Sequence, residues 1–172
     1  MSEDITGQVT GWLAGRLPDA WFTGPARVTV DREEIVVVGT LATPQTPDGA
    51  DEATVAEAAR GRLARFREET REERIGIARE AEHRFGRKVA WGAECGPVET
   101  LFTHLAVPVM TRLRQPERRT LDTLVEAGVA RSRADALAWC VRLVGQHTED
   151  WLEQLREAVT GVQQVREQGP TA

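Results

Sequence analysis

Residues 107–144 read VPVMTRLRQPERRTLDTLVEAGVARSRADALAWCVRLV, and the order of signals in this stretch decides how the C-terminal half folds. Apolar residues alternate over 107–113, which predicts a short strand. An amphipathic helix follows over about 115–127, with Pro116 in its first turn, where a missing N–H costs nothing. Its inward face is Leu121, Leu124 and Val125, and it stops at Gly128, where a left-handed cap is least costly. Ser132 then offers a side-chain oxygen to a new helix N-terminus, and Asp135, three residues on, closes a capping box. The second helix, 133–145, carries Ala136, Leu137, Cys140, Val141 and Val144 on one face.

Downstream, Thr148 caps a terminal helix over 149–167, with Glu149 and Asp150 in its first turn. Trp151, Leu152, Leu155, Val159, Val162 and Val165 share one face, so this helix needs something to pack on: its own domain, a partner subunit or the N-terminal unit. The tail GPTA is expected to fray. Upstream, Ile5, Val9, Trp12 and Leu13 predict a helix over 4–16, ended by Leu17-Pro18-Asp19. The β-rich runs 26–31 and 34–41 flank Asp31-Arg32-Glu33 and predict a hairpin. Residues 43–52 form a loop. A long Arg/Glu-rich helix is expected over 53–84, with Val55, Ala59, Leu63, Phe66, Ile75 and Ala78 as a sparse apolar stripe and a charged, solvated centre. Residues 88–94 predict a strand broken by Gly96-Pro97.

Length and composition bound the rest. The chain has 172 residues, 41% hydrophobic and 28% charged, the profile of an ordinary globular protein of one or two domains. No apolar run approaches a membrane span, and the polar, acidic N-terminus MSEDITGQVT resembles no signal peptide, so a cytoplasmic location is expected. Cys95 and Cys140 lie 45 positions apart without CxxC spacing, which argues against a metal finger or a disulfide framework. Of 22 basic residues, 21 are Arg; with abundant Ala and no Tyr, this suggests a GC-rich bacterial genome. Net charge is −5, but residues 105–145 hold seven Arg against four acids, a local excess that fits a small footprint on a phosphate backbone.

The strand–helix–glycine–SRADA–helix order resembles the ribbon-helix-helix domain of Arc/MetJ/CopG/NikR-like repressors, over about 40 residues. The resemblance implies a homodimer in which each copy contributes one strand to an antiparallel ribbon lying in the DNA major groove. Val109, Thr111 and Leu113 match the inward set, and Pro108, Met110 and Arg112 the outward, base-reading set. Arg112 suits guanine O6/N7, and Met110 a thymine methyl. Arg114, Arg118 and Arg119 match phosphate contacts, as do Ser132 and Arg133 at the second helix N-terminus, where free amides and the helix dipole favour an anion.

The chain holds no GxSxG, HExxH, P-loop or dinucleotide fingerprint, so no enzyme activity, no metal and no cofactor are expected. His83, Glu94, Cys95 and His104 have no metal-site spacing. Cys140 reads as a small core residue, and Cys95, beside Gly96-Pro97, as a candidate exposed redox thiol. Trp12, Trp21 and Trp91 read as core, with an effector pocket as the alternative. The expected fold class is thus α+β. A helix–hairpin–long helix–strand unit (1–98), serving assembly or sensing, precedes a ribbon-helix-helix unit with an extra C-terminal helix (105–172). The expected function is sequence-specific binding of double-stranded DNA and transcription regulation by a homodimer or higher oligomer. The alternative is a protein-interaction adaptor, antitoxin-like or associated with the transcription or translation machinery, that uses the same unit only to dimerise.

Overall fold

The computed structural model describes residues 2–168, so the tail GPTA and the side chain of Val165 lie outside the described residues. The architecture is α+β, with six helices and one four-stranded mixed sheet among the described residues. Two compact units divide it, Met1–Pro108 and Val109–Ala172.

In the first unit, α1 (Ser2–Arg16) leads to the hairpin β1 (Arg27–Val30) and β2 (Glu34–Thr40). Asp31 makes the turn, its Oδ1 accepting from Glu33 N and Glu34 N at 2.8 and 2.7 Å. After the expected loop, α2 (Glu52–Glu69) and α3 (Arg71–Phe85) return the chain to β3 (Lys88–Cys95), which lies parallel to β2. A parallel pair needs such a crossover, and two helices supply it. Gly96 then takes φ +53, and with the fixed φ of Pro97 it closes a tight turn into β4 (Val98–Leu101), antiparallel to β3. The Gly-Pro pair read as a strand break is therefore a hairpin, and β4 is a strand that the sequence reading lacks. The core lies between the three helices and one sheet face. Leu13, Ala59, Leu63, Phe66, Ile77 and Ala81 meet Ile35, Val37, Trp91 and Cys95 there.

The single long helix expected over 53–84 is two helices meeting at Thr70. No glycine or proline causes the break. Thr70 leaves helical geometry (φ −97, ψ 5), and its hydroxyl donates back to Phe66 O at 2.6 Å, a local bond that bends helices. Arg74 secures the elbow: Nε donates to Thr70 Oγ1 at 2.9 Å and Nη2 to Arg67 O at 2.7 Å. The apolar stripe shifts accordingly, since Ile77 and Ala81 are buried in α3 while Ile75 and Ala78 are only half-buried. Arg74 is itself buried, so the charged centre of this region is not wholly solvated. Burial pushes its guanidinium below the ordinary arginine range, and the like charges of Arg67 and Arg71 add to that.

Candidate functional site

The second unit is built from α4 (Gln115–Glu126), α5 (Arg133–His147) and α6 (Glu149–Gln168). Pro116 sits in the first turn of α4, and Gly128 takes φ +73 just past its end, so both punctuation signals act as the sequence implies. The turn closes with Val129 N and Ala130 N on Leu124 O. Ser132 caps α5 by accepting from Asp135 N at 3.2 Å, while Asp135 Oδ2 accepts from Arg131 N at 3.0 Å. The capping box thus closes one residue earlier than expected. Its carboxylate adds negative charge in the first turn of the helix whose N-terminus was expected to hold a phosphate.

The segment 107–114 forms no strand. Val109 and Met110 are 86% and 97% exposed, and of the expected inward set only Leu113 packs, against the small core of this unit. The stretch places apolar residues at both parities (Val107 and Val109, Pro108 and Met110), so alternation defines no single buried face. Pro108 also lacks the N–H a ladder needs. Pro108, Met110 and Arg112, expected on a base-reading strand, therefore lie on exposed coil.

The expected phosphate contacts are dispersed in role. Arg133 is held bidentate by Asp122, with Nε–Oδ1 at 2.6 Å and Nη2–Oδ2 at 2.7 Å, a clamp from α5 to α4. Arg118 Nη1 donates to Leu113 O at 2.7 Å. Met110, Arg118 and Arg133 line one shallow groove of about 340 Å³ with Leu113, Leu121 and Leu137. Arg112, Arg114, Arg119 and Arg142 have no carboxylate partner among the described residues.

The Asp122–Arg133 clamp carries a pH prediction. The hydrogen bond from Arg133, with its charge, holds the Asp122 carboxyl below its ordinary value, and the same partner raises Arg133. A depressed folded pKa contributes stability above the unfolded carboxylate value, and that contribution is lost as pH falls through the folded value. An NMR titration of the Asp122 side chain will show an inflection below the normal aspartate range. Arg133→Gln will return it to that range, and an unshifted Asp122 in the wild type contradicts the clamp.

What most distinguishes this unit is its uncovered apolar surface. Among the described residues of this unit, only Leu121, Ala130 and Ala136 are buried, with Leu113, Leu124, Val125, Leu137 and Cys140 packed around them. Val141 and Val144, expected in the core, are 66% and 53% exposed, because α4 covers only the first turns of α5. On α6, Trp151, Leu155, Val159 and Val162 are 57, 43, 55 and 60% exposed. Thr148 alone separates α5 from α6. Leu152, Leu155, Val159 and Val162 repeat at spacings of 3, 4 and 3, the seam of a helix that pairs with another helix.

Elsewhere the structure corrects one further reading. Cys95 ends β3 with its side chain on the helix face, fully buried, and burial pushes its thiol up from the ordinary range, so it is no exposed redox thiol. Glu94 accepts from Thr40 Oγ1 at 2.6 Å, and no metal-holding group of three His, Cys, Asp or Glu exists among the described residues. Trp21 and Trp91 are core, edge-to-face at 6.1 Å. No helix among the described residues is long and apolar enough to cross a membrane.

Comparison with known proteins agrees with the two units. The family model described as Rv1265-like protein, N-terminal domain, matches residues 7–101, and the one described as Mb1296 C-terminal domain matches 114–166. Neither is a ribbon-helix-helix domain, which overturns that resemblance. The stretch between the two matches holds the segment in which the ribbon strand was expected. No solved structure matches. Similar proteins are the uncharacterised Rv1265 of Mycobacterium tuberculosis and Mb1296 of Mycobacterium bovis. Each is 60% identical over 159 residues, covering 92% of this chain and 69% of the relative. The chain belongs to the Rv1265-like protein family.

Proposed function

We propose that this protein is an interaction protein that works as a homodimer, its C-terminal unit pairing with a second copy through α5 and α6 and presenting two N-terminal units to further partners. The observation that carries this is the exposure of Val141, Val144, Trp151, Leu155, Val159 and Val162 on a unit with three buried apolar residues among those described. A unit this small buries too little surface to stand alone. A second copy is the favoured occupant because a two-fold arrangement covers the same bare face on both chains at once. A cytoplasmic setting suits it.

The test is sedimentation at micromolar concentration. The wild type runs as a dimer, and Leu155→Glu with Val159→Glu weakens dimerisation by at least about tenfold, since each buries a charge in an apolar seam. A wild-type monomer under these conditions refutes the proposal. One observation favours a second reading, in which the dimer binds double-stranded DNA: Arg112, Arg114, Arg119 and Arg142 carry no carboxylate partner among the described residues. Binding of duplex DNA that fades between about 50 and 200 mM salt supports that reading.

A further inference from the structure

At the elbow between α2 and α3, Arg67 and Arg74 have no carboxylate partner among the described residues, although Glu68, Glu69, Glu72 and Glu73 stand in the same segment. Arg74 is 6% exposed and spends Nε and Nη2 on Thr70 Oγ1 and Arg67 O. Its third nitrogen, Nη1, has no partner among the described residues. It is not sealed away either, because the one enclosed and unpartnered side-chain nitrogen or oxygen among the described residues is Trp91 Nε1.

Arg67 and Arg74 also stand over the same ring, Phe102, at 6.0 and 5.1 Å from its centroid. Two guanidiniums beside one ring repel each other, and Arg67 has no carboxylate partner among the described residues. Arg71, one turn away, is paired with Glu72 at 2.7 Å. The C-terminal end of α2 offsets part of the charge, since Arg74 donates to a carbonyl of its last turn. A helix end supplies only about half an elementary charge. The Arg74 charge is thus sheltered, with the like charges of Arg67 and Arg71 acting on it.

We infer that this elbow is a binding site for a small phosphate-type oxyanion, held by Arg74 Nη1 and the Arg67 guanidinium beside the Phe102 ring. Guanidinium groups present paired N–H donors that match phosphate oxygens, which is why arginine is preferred over lysine for such ligands. The site favours a compact anion, because Arg74 is itself buried. An anion there relieves the repulsion between the two arginines and completes the hydrogen bonding of Nη1. This inference concerns α2, α3 and Phe102, and stands apart from association through α5 and α6.

The experiment is calorimetric titration of the full chain with potassium phosphate and, separately, with glucose 6-phosphate, against potassium chloride at equal ionic strength. The wild type binds at least one phosphate ligand saturably, with millimolar affinity or better. Arg67→Ala, a change at an exposed position, weakens binding at least about fivefold while helix content and melting temperature stay unchanged. Tighter binding of the sugar phosphate assigns a phosphorylated metabolite, and tighter binding of inorganic phosphate assigns the free ion; both support the site. Absence of saturable binding to either ligand, or a loss in Arg67→Ala smaller than fivefold, overturns it.

Discussion

Replacing Arg74 by alanine lowers the unfolding free energy of the N-terminal unit by about 3 kcal/mol. The side chain does three things at once. Nε holds Thr70 Oγ1, Nη2 covers Arg67 O at the end of α2, and the stem and guanidinium pack on Phe102. Each hydrogen bond to a charged group is worth about 1.5–3 kcal/mol when its loss strands a partner. Against that stands the cost of burying a cation, which the substitution relieves. Arg74→Met separates the two effects. It keeps the apolar stem and removes the charge, so it costs about 1–2 kcal/mol, less than alanine but more than nothing, because Arg67 O and Thr70 still lose their partner. Urea unfolding followed by circular dichroism measures both. A loss below about 1 kcal/mol for Arg74→Ala means that the elbow holds without its arginine.

Much of the fold is legible in the residues, and the failures have physical causes. α1, the β1–β2 hairpin and β3 announce themselves through apolar spacing and turn residues. The helix pair α4–α5 does so through Pro116, Gly128 and Ser132, all of which act locally. The α2–α3 elbow is silent because REETREER contains no breaker residue. Its bend comes from Thr70 back-bonding to Phe66 O and from Arg74 closing over it, and both are side-chain bonds that a propensity reading does not see. The strand β4 is silent because four residues, VETL, are too few to show alternation. At the C-terminal unit, the caps were readable but the extent of burial was not. Val141 and Val144 carry the same apolar signal as Ala136, yet α4 reaches only one of the three. Apolar periodicity says that a face will be covered, not what covers it. The same limit holds at 107–113: apolar residues fall at both parities, and nothing in a single chain's sequence supplies a neighbouring strand.

Gly39→Val destabilises the N-terminal unit by about 3 kcal/mol, and the penalty lies in one contact. Gly39 is in β2, opposite Ala93 of β3, with no positive φ, so its backbone accepts any residue. Space is the obstacle. A Cβ at this position meets the Phe22 ring at 2.2 Å, closer than real Cβ atoms approach anything. Phe22 cannot retreat with its backbone, because Thr23 N and Thr23 Oγ1 both donate to Thr40 O at 2.9 and 3.2 Å and pin this segment to the end of β2. The ring must rotate instead. That breaks its tilted contact with Phe66 at 5.5 Å and its edge contact with Trp21 at 6.1 Å, and drives it toward a cavity of about 320 Å³ that it already lines with Leu13, Leu17 and Val28. A double-mutant cycle isolates this contact. Phe22→Ala is destabilising on its own, but in that background Gly39→Val costs less than about 1 kcal/mol, because the clash is gone and valine suits a strand. The coupling between the two sites is therefore about 2 kcal/mol, read from unfolding midpoints of the four variants. Additive effects show instead that Gly39 is required for some reason other than the ring above it.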